Sequence, residues 1–285
     1  MPARILLATD MDRTLLPNGA QPESPAARGL FAAVAARPEV ALAYVTGRHR
    51  ALVEAAMTEY RLPEPDYVIG DVGTTLYRVD GDGWHEQADW AAAIGRDWAG
   101  HGRTDLAAAL APIAALRLQE EAKQNTWKLS YYAPALADPA ELLASARTRL
   151  DGLGVRANLI WSIDEAANLG LLDVLPASAS KLHALEFLVR QLGLPYRQAL
   201  FAGDSGNDLE VLAGPIPAVL VANADDSVRR QAIELSRRQG HGDLLYLARG
   251  GLAGLNGNYS AGILEGLAHF IPASRDWLPG REAST

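Results

Sequence analysis

The stretch Ile5-Leu6-Leu7-Ala8-Thr9-Asp10-Met11-Asp12-Arg13-Thr14 sets the reading of the whole chain. Four apolar residues in a row, with no alternation, describe a short strand buried on both faces. The strand ends in two carboxylates spaced two residues apart. Far downstream the pattern returns: Ala199-Leu200-Phe201-Ala202 runs into Gly203-Asp204-Ser205-Gly206-Asn207-Asp208. Acidic clusters at the C-terminal ends of two buried parallel strands open into the same crevice of an α/β sheet. Carboxylates gathered there repel one another unless a hard cation joins them, and Mg2+ suits all-oxygen donors. The pattern points to metal-assisted chemistry on a phosphate.

Between the clusters the sequence alternates. Val40 to Val45 is a second buried strand, ending in Thr46-Gly47-Arg48. Tyr67-Val68-Ile69 is a third, leading into Gly70-Asp71-Val72-Gly73-Thr74-Thr75. Ser24-Pro25 reads as a helix opening, with Leu30, Phe31 and Val34 on its apolar side. A second helix over about 51–60 turns Leu52, Ala55 and Ala56 inward. Strands alternating with helices predict βαβ units and a mostly parallel sheet.

After Gly81-Asp82-Gly83 the rhythm changes. Ala-rich helical segments cover about 88–99 and 105–115, followed by a polar strand-like piece from Asn125 to Tyr132. A helix over about 139–150 and a strand over 156–163 complete an inserted α+β module. Alternation resumes with Leu171-Leu172-Asp173-Val174-Leu175-Pro176, a helix over about 180–192, and a strand over 218–221. The expected organisation is an α/β core from residues 1–82 and 172–285, with 83–171 as an inserted cap. The tail beyond about Pro279 is expected to fray.

Bulk properties narrow the chemistry. The 285 residues are 49% hydrophobic and 21% charged, an ordinary globular mixture. A net charge of −8 gives no support to nucleic acid or an anionic membrane as partner, which would call for a basic face. The chain has no cysteine, which removes disulfides, thiolate catalysis and Cys-based zinc sites. No apolar run approaches the roughly 18 residues that span a bilayer, and no secretory leader pattern precedes the first strand. A cytoplasmic protein, monomeric or weakly dimeric, is the expectation.

Taken singly, each motif has an ordinary alternative. Asp-x-Asp after a strand can be a helix cap, Thr-Gly-Arg a plain turn, and Lys181 at a helix start a surface residue that opposes the helix dipole. Their joint occurrence, in order, resembles the four motifs of the haloacid-dehalogenase (HAD) superfamily phosphatases. The position of the insert resembles the subclass with the larger α/β cap. Within it the chain is similar to sucrose-phosphate phosphatases and their relatives, over nearly its whole length. The residues that carry the likeness include Tyr44 to His49, Val72-Gly73-Thr74, Lys128 to Tyr132, Asp173 to Pro176, Lys181 to Leu185, Gly203 to Asp208 and Ser260 to Leu264.

The resemblance implies that Asp10 is the nucleophile, forming an aspartyl-phosphate. Asp12 would protonate the leaving oxygen and then activate water. Thr46, Lys181 and Asn207 would bind the phosphoryl group. Asp10, Asp12 (through its backbone carbonyl) and Asp204 would hold Mg2+, with Asp208 beside them orienting Lys181 or a metal-bound water. Beside the resemblance, the residues themselves suggest sugar contacts. Lys123, Gln124, Asn125, Lys128 and Tyr131 of the cap strand offer donors and an aromatic face that suit sugar hydroxyls. Arg48 and His49, just past Thr46, are in line for the same ligand.

Two positions depart from the wider pattern: Arg13 stands where Gly is frequent, and Ser178-Ala179-Ser180 precedes Lys181 where relatives often place Gly. The implied substrate is a small-molecule sugar phosphate, with sucrose 6-phosphate leading. Mannosylfructose-phosphate, mannosyl-3-phosphoglycerate and glucosylglycerol-phosphate compete with it. A phosphomannomutase-like phosphotransferase and a catalytically silent sugar-binding protein are the readings from other classes. The full set of acids together with Lys181 disfavours the silent one.

Overall fold

The computed structural model describes residues 5–135, 138–164 and 167–278. In chain order the elements begin β1 (Ile5–Thr9), α1 (Ala27–Ala35), β2 (Val40–Val45), α2 (Arg50–Tyr60), β3 (Tyr67–Gly70), β4 (Thr75–Asp80) and β5 (Gly83–Glu86). The middle of the chain follows as α3 (Ala88–Gly95), α4 (Arg103–Leu110), β6 (Arg117–Leu118), β7 (Leu129–Pro134), α5 (Pro139–Asp151), β8 (Ala157–Asp164) and β9 (Leu169–Pro176). The last part holds α6 (Lys181–Gln191), β10 (Ala199–Gly203), α7 (Leu209–Leu212), β11 (Ala218–Leu220), α8 (Asp226–Arg238), β12 (Leu245–Leu247) and α9 (Ser260–Phe270).

Two sheets result. The larger runs β12-β11-β10-β1-β2-β3-β4-β5. Its pairings from β12 to β3 are parallel, and β4 and β5 add antiparallel edge strands. The expected α/β class with a parallel-rich sheet is what forms. β1 sits at the centre because all five of its residues are buried. Ile5 and Leu7 pack into one layer with Phe31 and Val34 of α1 and Leu264 of α9. Leu6 and Ala8 face the other layer with Leu185 and Leu188 of α6. Each such leucine removed from water contributes about 1.5–3 kcal/mol, which is why an unbroken apolar run takes the doubly covered position. Parallel order also places the ends of β1, β2, β3 and β10 on one rim.

The smaller sheet is antiparallel, ordered β6-β7-β9-β8. Its own core joins Trp98, Leu106 and Leu110 to Leu129, Tyr131, Leu142, Leu150, Leu172 and Val174.

Several local expectations need correction. Ser24-Pro25 lies in the turn before α1, and the Ser24 hydroxyl accepts a hydrogen bond from the Asn256 amide instead of capping the helix (2.9 Å). In α2 the buried residues are Val53 and Ala56, while Leu52 is exposed, so the apolar face is rotated by one position. The polar piece at 125–132 splits into a tight turn and a strand. Asn125 Oδ1 accepts from the Trp127 amide (2.8 Å), and pairing with β9 starts only at Leu129. Sheet membership also differs from the expected boundaries: 83–86 joins the large sheet, and 169–176 is the central strand of the small one. A run such as Leu171–Leu175 reads alike in either sheet, because a short, mostly apolar stretch does not record which strands flank it. The tail beyond Pro279 lies outside the described residues.

The turn from β3 to β4, within the large sheet, touches the segment that leads from β9 of the small sheet into α6. Asp71, Val72 and Gly73 follow β3 with φ of +50°, +61° and +96°. A Cβ on Gly73 would sit 2.4 Å from the Ser180 carbonyl group, just before α6. Gly73→Ala is therefore expected to destabilise the protein by about 3 kcal/mol or more, through left-handed strain plus a backbone clash. It should also disturb Lys181, the next residue. Chemical denaturation checks this, and a loss under about 1 kcal/mol would contradict it.

Candidate active site

Asp10 is the first residue past β1. Its amide still donates to the Ala202 carbonyl of β10 (2.8 Å), so the sheet ladder fixes its position. The chain then tightens: Thr14, Leu15 and Leu16 all direct their amides at the Met11 carbonyl. Buried Met11 anchors that turn, and Asp12 projects from it, 44% exposed. On the neighbouring strand, the Gly203-to-Asp208 turn folds back on itself. Asp208 Oδ2 accepts from the amides of Asp204 (3.1 Å) and Ser205 (3.2 Å). This return needs glycine at 203, where a Cβ would lie 2.7 Å from the Asp208 carboxyl carbon.

Lys181 is the first residue of α6, positioned by Ser180, whose hydroxyl accepts from the His183 amide (3.2 Å). Its side chain is 2% exposed and its ammonium donates to Asp10 Oδ1 (2.8 Å), Asp208 Oδ1 (2.8 Å) and Asn207 Oδ1 (3.2 Å). A cation at a helix N-terminus works against the helix dipole, and the carboxylates outweigh that cost. Burial would depress the Lys181 pKa, but Asp10 and Asp208 more than reverse the effect, so it stays charged. For Asp10 burial wins over Lys181: its carboxyl is pushed up to about 7. Asp204 rises to about 6, from burial and then from the charge on Asp208.

Oxygens of Asp10, Asp204 and Asp208 lie within 4.8 Å of one another. Asp204 Oδ1 accepts from the Thr14 hydroxyl (3.2 Å), whereas Oδ2 is buried without a hydrogen bond among the described residues. An orphaned carboxylate oxygen beside other acids, with no nitrogen or sulfur donor, fits a hard divalent cation. Both Asp208 oxygens are already engaged, by Lys181 and by backbone amides. That engagement suits a residue that orients Lys181.

The raised pKa values of Asp10 and Asp204 have a testable consequence. Their folded-state pKa values lie above the ordinary carboxyl range, so protons compete with a cation up to about pH 6–7. A divalent cation held by these acids should therefore raise Tm little near about pH 5 and more towards about pH 8. Equal shifts at both would contradict the coupling.

Asp12 is held differently. Arg48 grips both its oxygens, Nε to Oδ2 at 2.7 Å and Nη2 to Oδ1 at 2.6 Å, and Asn18 Nδ2 adds 2.8 Å. Partial burial pulls the Asp12 pKa upward, but these hydrogen bonds outweigh it and hold the carboxyl below its usual value. Arg48 is thus committed to Asp12, although the sequence reading had assigned it to the sugar. Thr46 is buried at the end of β2, its hydroxyl accepting from the Arg48 amide (3.1 Å).

The small sheet reaches this rim through Asn125 and Lys128. Asn125 Nδ2 donates to the Thr74 hydroxyl (2.9 Å), and the Lys128 ammonium lies 3.8 Å from Asp71. Burial raises the Asp71 pKa against the pull of Lys128. Lys123 is engaged within its own module, with Tyr132 (2.7 Å) and Glu120 (3.4 Å). His49 is the residue just before α2, and among the described residues its side chain makes no capping hydrogen bond to that helix. Sequence reasoning gave no role to Asn18, Asp71 or Thr74. Only the Gly-Asp-Val-Gly run hinted at the last two, by ending a strand on the same rim.

The family profile described as sucrose-6F-phosphate phosphohydrolase matches residues 3–271. The chain is 52% identical, over all 285 residues, to a HAD-like hydrolase of Nitrosococcus oceani, spanning 76% of that protein. It is 32% identical over 267 residues to a glucosylglycerol-phosphate synthase of Pseudomonas anguilliseptica, covering 93% of this chain but 31% of that one. Among solved structures, the Synechocystis sucrose-phosphatase in complex with sucrose and phosphate superposes with a TM-score of 0.71 at 26% identity, covering 94% of this chain and 98% of the other.

Proposed function

The chain belongs to the sucrose-6F-phosphate phosphohydrolase family, phosphoric monoester hydrolases of the HAD superfamily, and from that membership we propose a Mg2+-dependent phosphatase for a phosphorylated disaccharide. The observation that carries the reading is the buried constellation in which Lys181 bridges Asp10 and Asp208 while one Asp204 oxygen makes no hydrogen bond among the described residues.

In this reading Asp10 attacks phosphorus. The bond from phosphorus to the sugar oxygen breaks as the bond to an Asp10 oxygen forms, leaving an aspartyl-phosphate. Asp12 gives its proton to the departing sugar oxygen. It then takes one from the water that cleaves the acyl phosphate and regenerates Asp10. The Arg48 grip keeps Asp12 oriented and ionised, which suits the second half; in the first half Asp12 must carry a proton against that pull. Thr46, Lys181 and Asn207 hold the transferring group. Lys181, already bonded to Asp10, is placed to neutralise charge developing on the phosphoryl oxygens. Mg2+ would be held by Asp10, Asp204 and the Asp12 carbonyl, with Asp208 alongside, and would supply further charge neutralisation.

The small sheet is the specificity cap in this proposal. Asn125 and Lys128, at its seam with the rim, are the residues assigned to sugar hydroxyls. Asn125→Ala and Lys128→Ala should lower kcat/KM for the disaccharide phosphate by about 1–3 kcal/mol each. p-Nitrophenyl phosphate, which uses only the core, should be hydrolysed almost normally. Equal losses on both substrates would assign these residues to the fold instead.

Sucrose 6-phosphate is the first candidate, given the family description and the sucrose-bound relative. Glucosylglycerol-phosphate is the second, favoured by the kinship with a glucosylglycerol-phosphate synthase along almost this entire chain. Orthophosphate release across a panel of sugar phosphates separates them. Isomerisation of a sugar phosphate without orthophosphate release would instead identify a phosphotransferase and overturn the proposal.

A further inference from the structure

Arg13 directly follows Asp12, and its backbone is left-handed, at φ +56°. That conformation favours glycine and costs a longer side chain about 1 kcal/mol. Both sides of the residue are clamped: its amide donates to Asn18 Oδ1 (2.7 Å), and its carbonyl accepts from Asn223 Nδ2 (2.6 Å). The side chain is thereby launched in a fixed direction, over the acidic centre. Its Nε stops 3.4 Å from Asp204 Oδ2. Both atoms are buried, and neither makes a hydrogen bond among the described residues. The far end of the guanidinium, Nη2, lies 3.4 Å from Asp225 Oδ1, on a side chain 63% exposed. Arg13 thus stands between two carboxylates, one buried beside Asp10 and Asp208 and one open to water, and it is tightly bonded to neither.

We propose that Arg13 is a positioning residue that sets the cation affinity of the centre: its guanidinium contests the Asp204 oxygen a divalent ion needs, and Asp225 is its alternative seat. The inference rests on the reading that this centre takes a divalent cation. Two positive groups cannot share one carboxylate oxygen without repulsion, so uptake of the ion must be accompanied by retreat of Arg13. Thr14 holds the other Asp204 oxygen, so the contested one cannot simply be exchanged for it. The device limits affinity while sparing the buried acids an uncompensated charge.

The test uses Mn2+ as probe, titrated by calorimetry into full-length protein stripped with chelator. Arg13→Gly, whose backbone suits the left-handed geometry, should bind Mn2+ roughly tenfold tighter, the effect of removing one positive charge at a few ångströms in a partly wet site. Arg13→Lys keeps the charge and should stay near wild type. Asp225→Asn removes the second seat and should weaken binding roughly threefold, and that loss should vanish in the Arg13→Gly background. Unchanged or weaker binding in Arg13→Gly would overturn the inference, as would an Asp225→Asn loss that persists without Arg13. Wild-type protein that takes up no Mn2+ would sink the cation reading and this inference together. Wild-type uptake with an unchanged Arg13→Gly would sink this inference alone.

Discussion

Asp10→Asn should lower kcat by about 10⁴-fold or more, equivalent to about 5 kcal/mol of transition-state stabilisation. The amide keeps the shape of the side chain and its place at the end of β1, but it offers no carboxylate oxygen to attack phosphorus. The fold should be largely unharmed. Wild-type Asp10 is already buried and pushed up to about 7, so a neutral side chain is well accommodated there. Lys181 retains Asp208 and Asn207 as partners. The expected result is an inactive protein with a nearly wild-type Tm, and loss of covalent labelling when the aspartyl-phosphate is trapped by acid quench. Residual turnover within tenfold of wild type, after mass spectrometry has ruled out deamidation, would remove Asp10 from the mechanism.

Lys181→Met should fail in both respects. The methionine fills similar volume, but it leaves the carboxylates of Asp10 and Asp208 without their buried cation. Removing one partner of a buried ion pair typically costs about 3–5 kcal/mol, because the remaining charge is neither solvated nor paired. Activity should fall with stability, since the group that would neutralise the phosphoryl oxygens is gone. The contrast between the variants is diagnostic. Asp10→Asn separates activity from stability, and Lys181→Met couples them. Chemical denaturation together with phosphate-release kinetics reads both. A Lys181→Met protein as stable as wild type would show that the acids are neutralised by another route.

Much of this was legible in the chain. Ile5–Ala8 and Ala199–Ala202 announced buried parallel strands because their residues are apolar without alternation, a pattern that only double coverage explains. Once those strands were parallel, chain direction alone placed Asp10, Thr46 and the Gly203–Asp208 turn on one rim, since parallel neighbours end on the same side. The family likeness supplied Lys181, which local pattern would have left as a surface lysine.

Other features were decided only by tertiary structure. Leu169–Pro176 belongs to the small sheet because β7 and β8 flank it, and its composition carries no record of its neighbours. Leu52 and Val53 exchanged places between surface and core because helix rotation is set by what the helix packs against. The engagement of Arg48 with Asp12, across 36 positions of chain, and the seat of Arg13 between Asp204 and Asp225 depend on side chains meeting across loops. Sequence determined which chemistry is present and at which edge of the sheet it gathers, because backbone periodicity and strand direction are local properties. Which carboxylate each arginine takes was left to the tertiary structure, because charge pairing is settled by distance and burial, and neither exists until the loops have closed on one another.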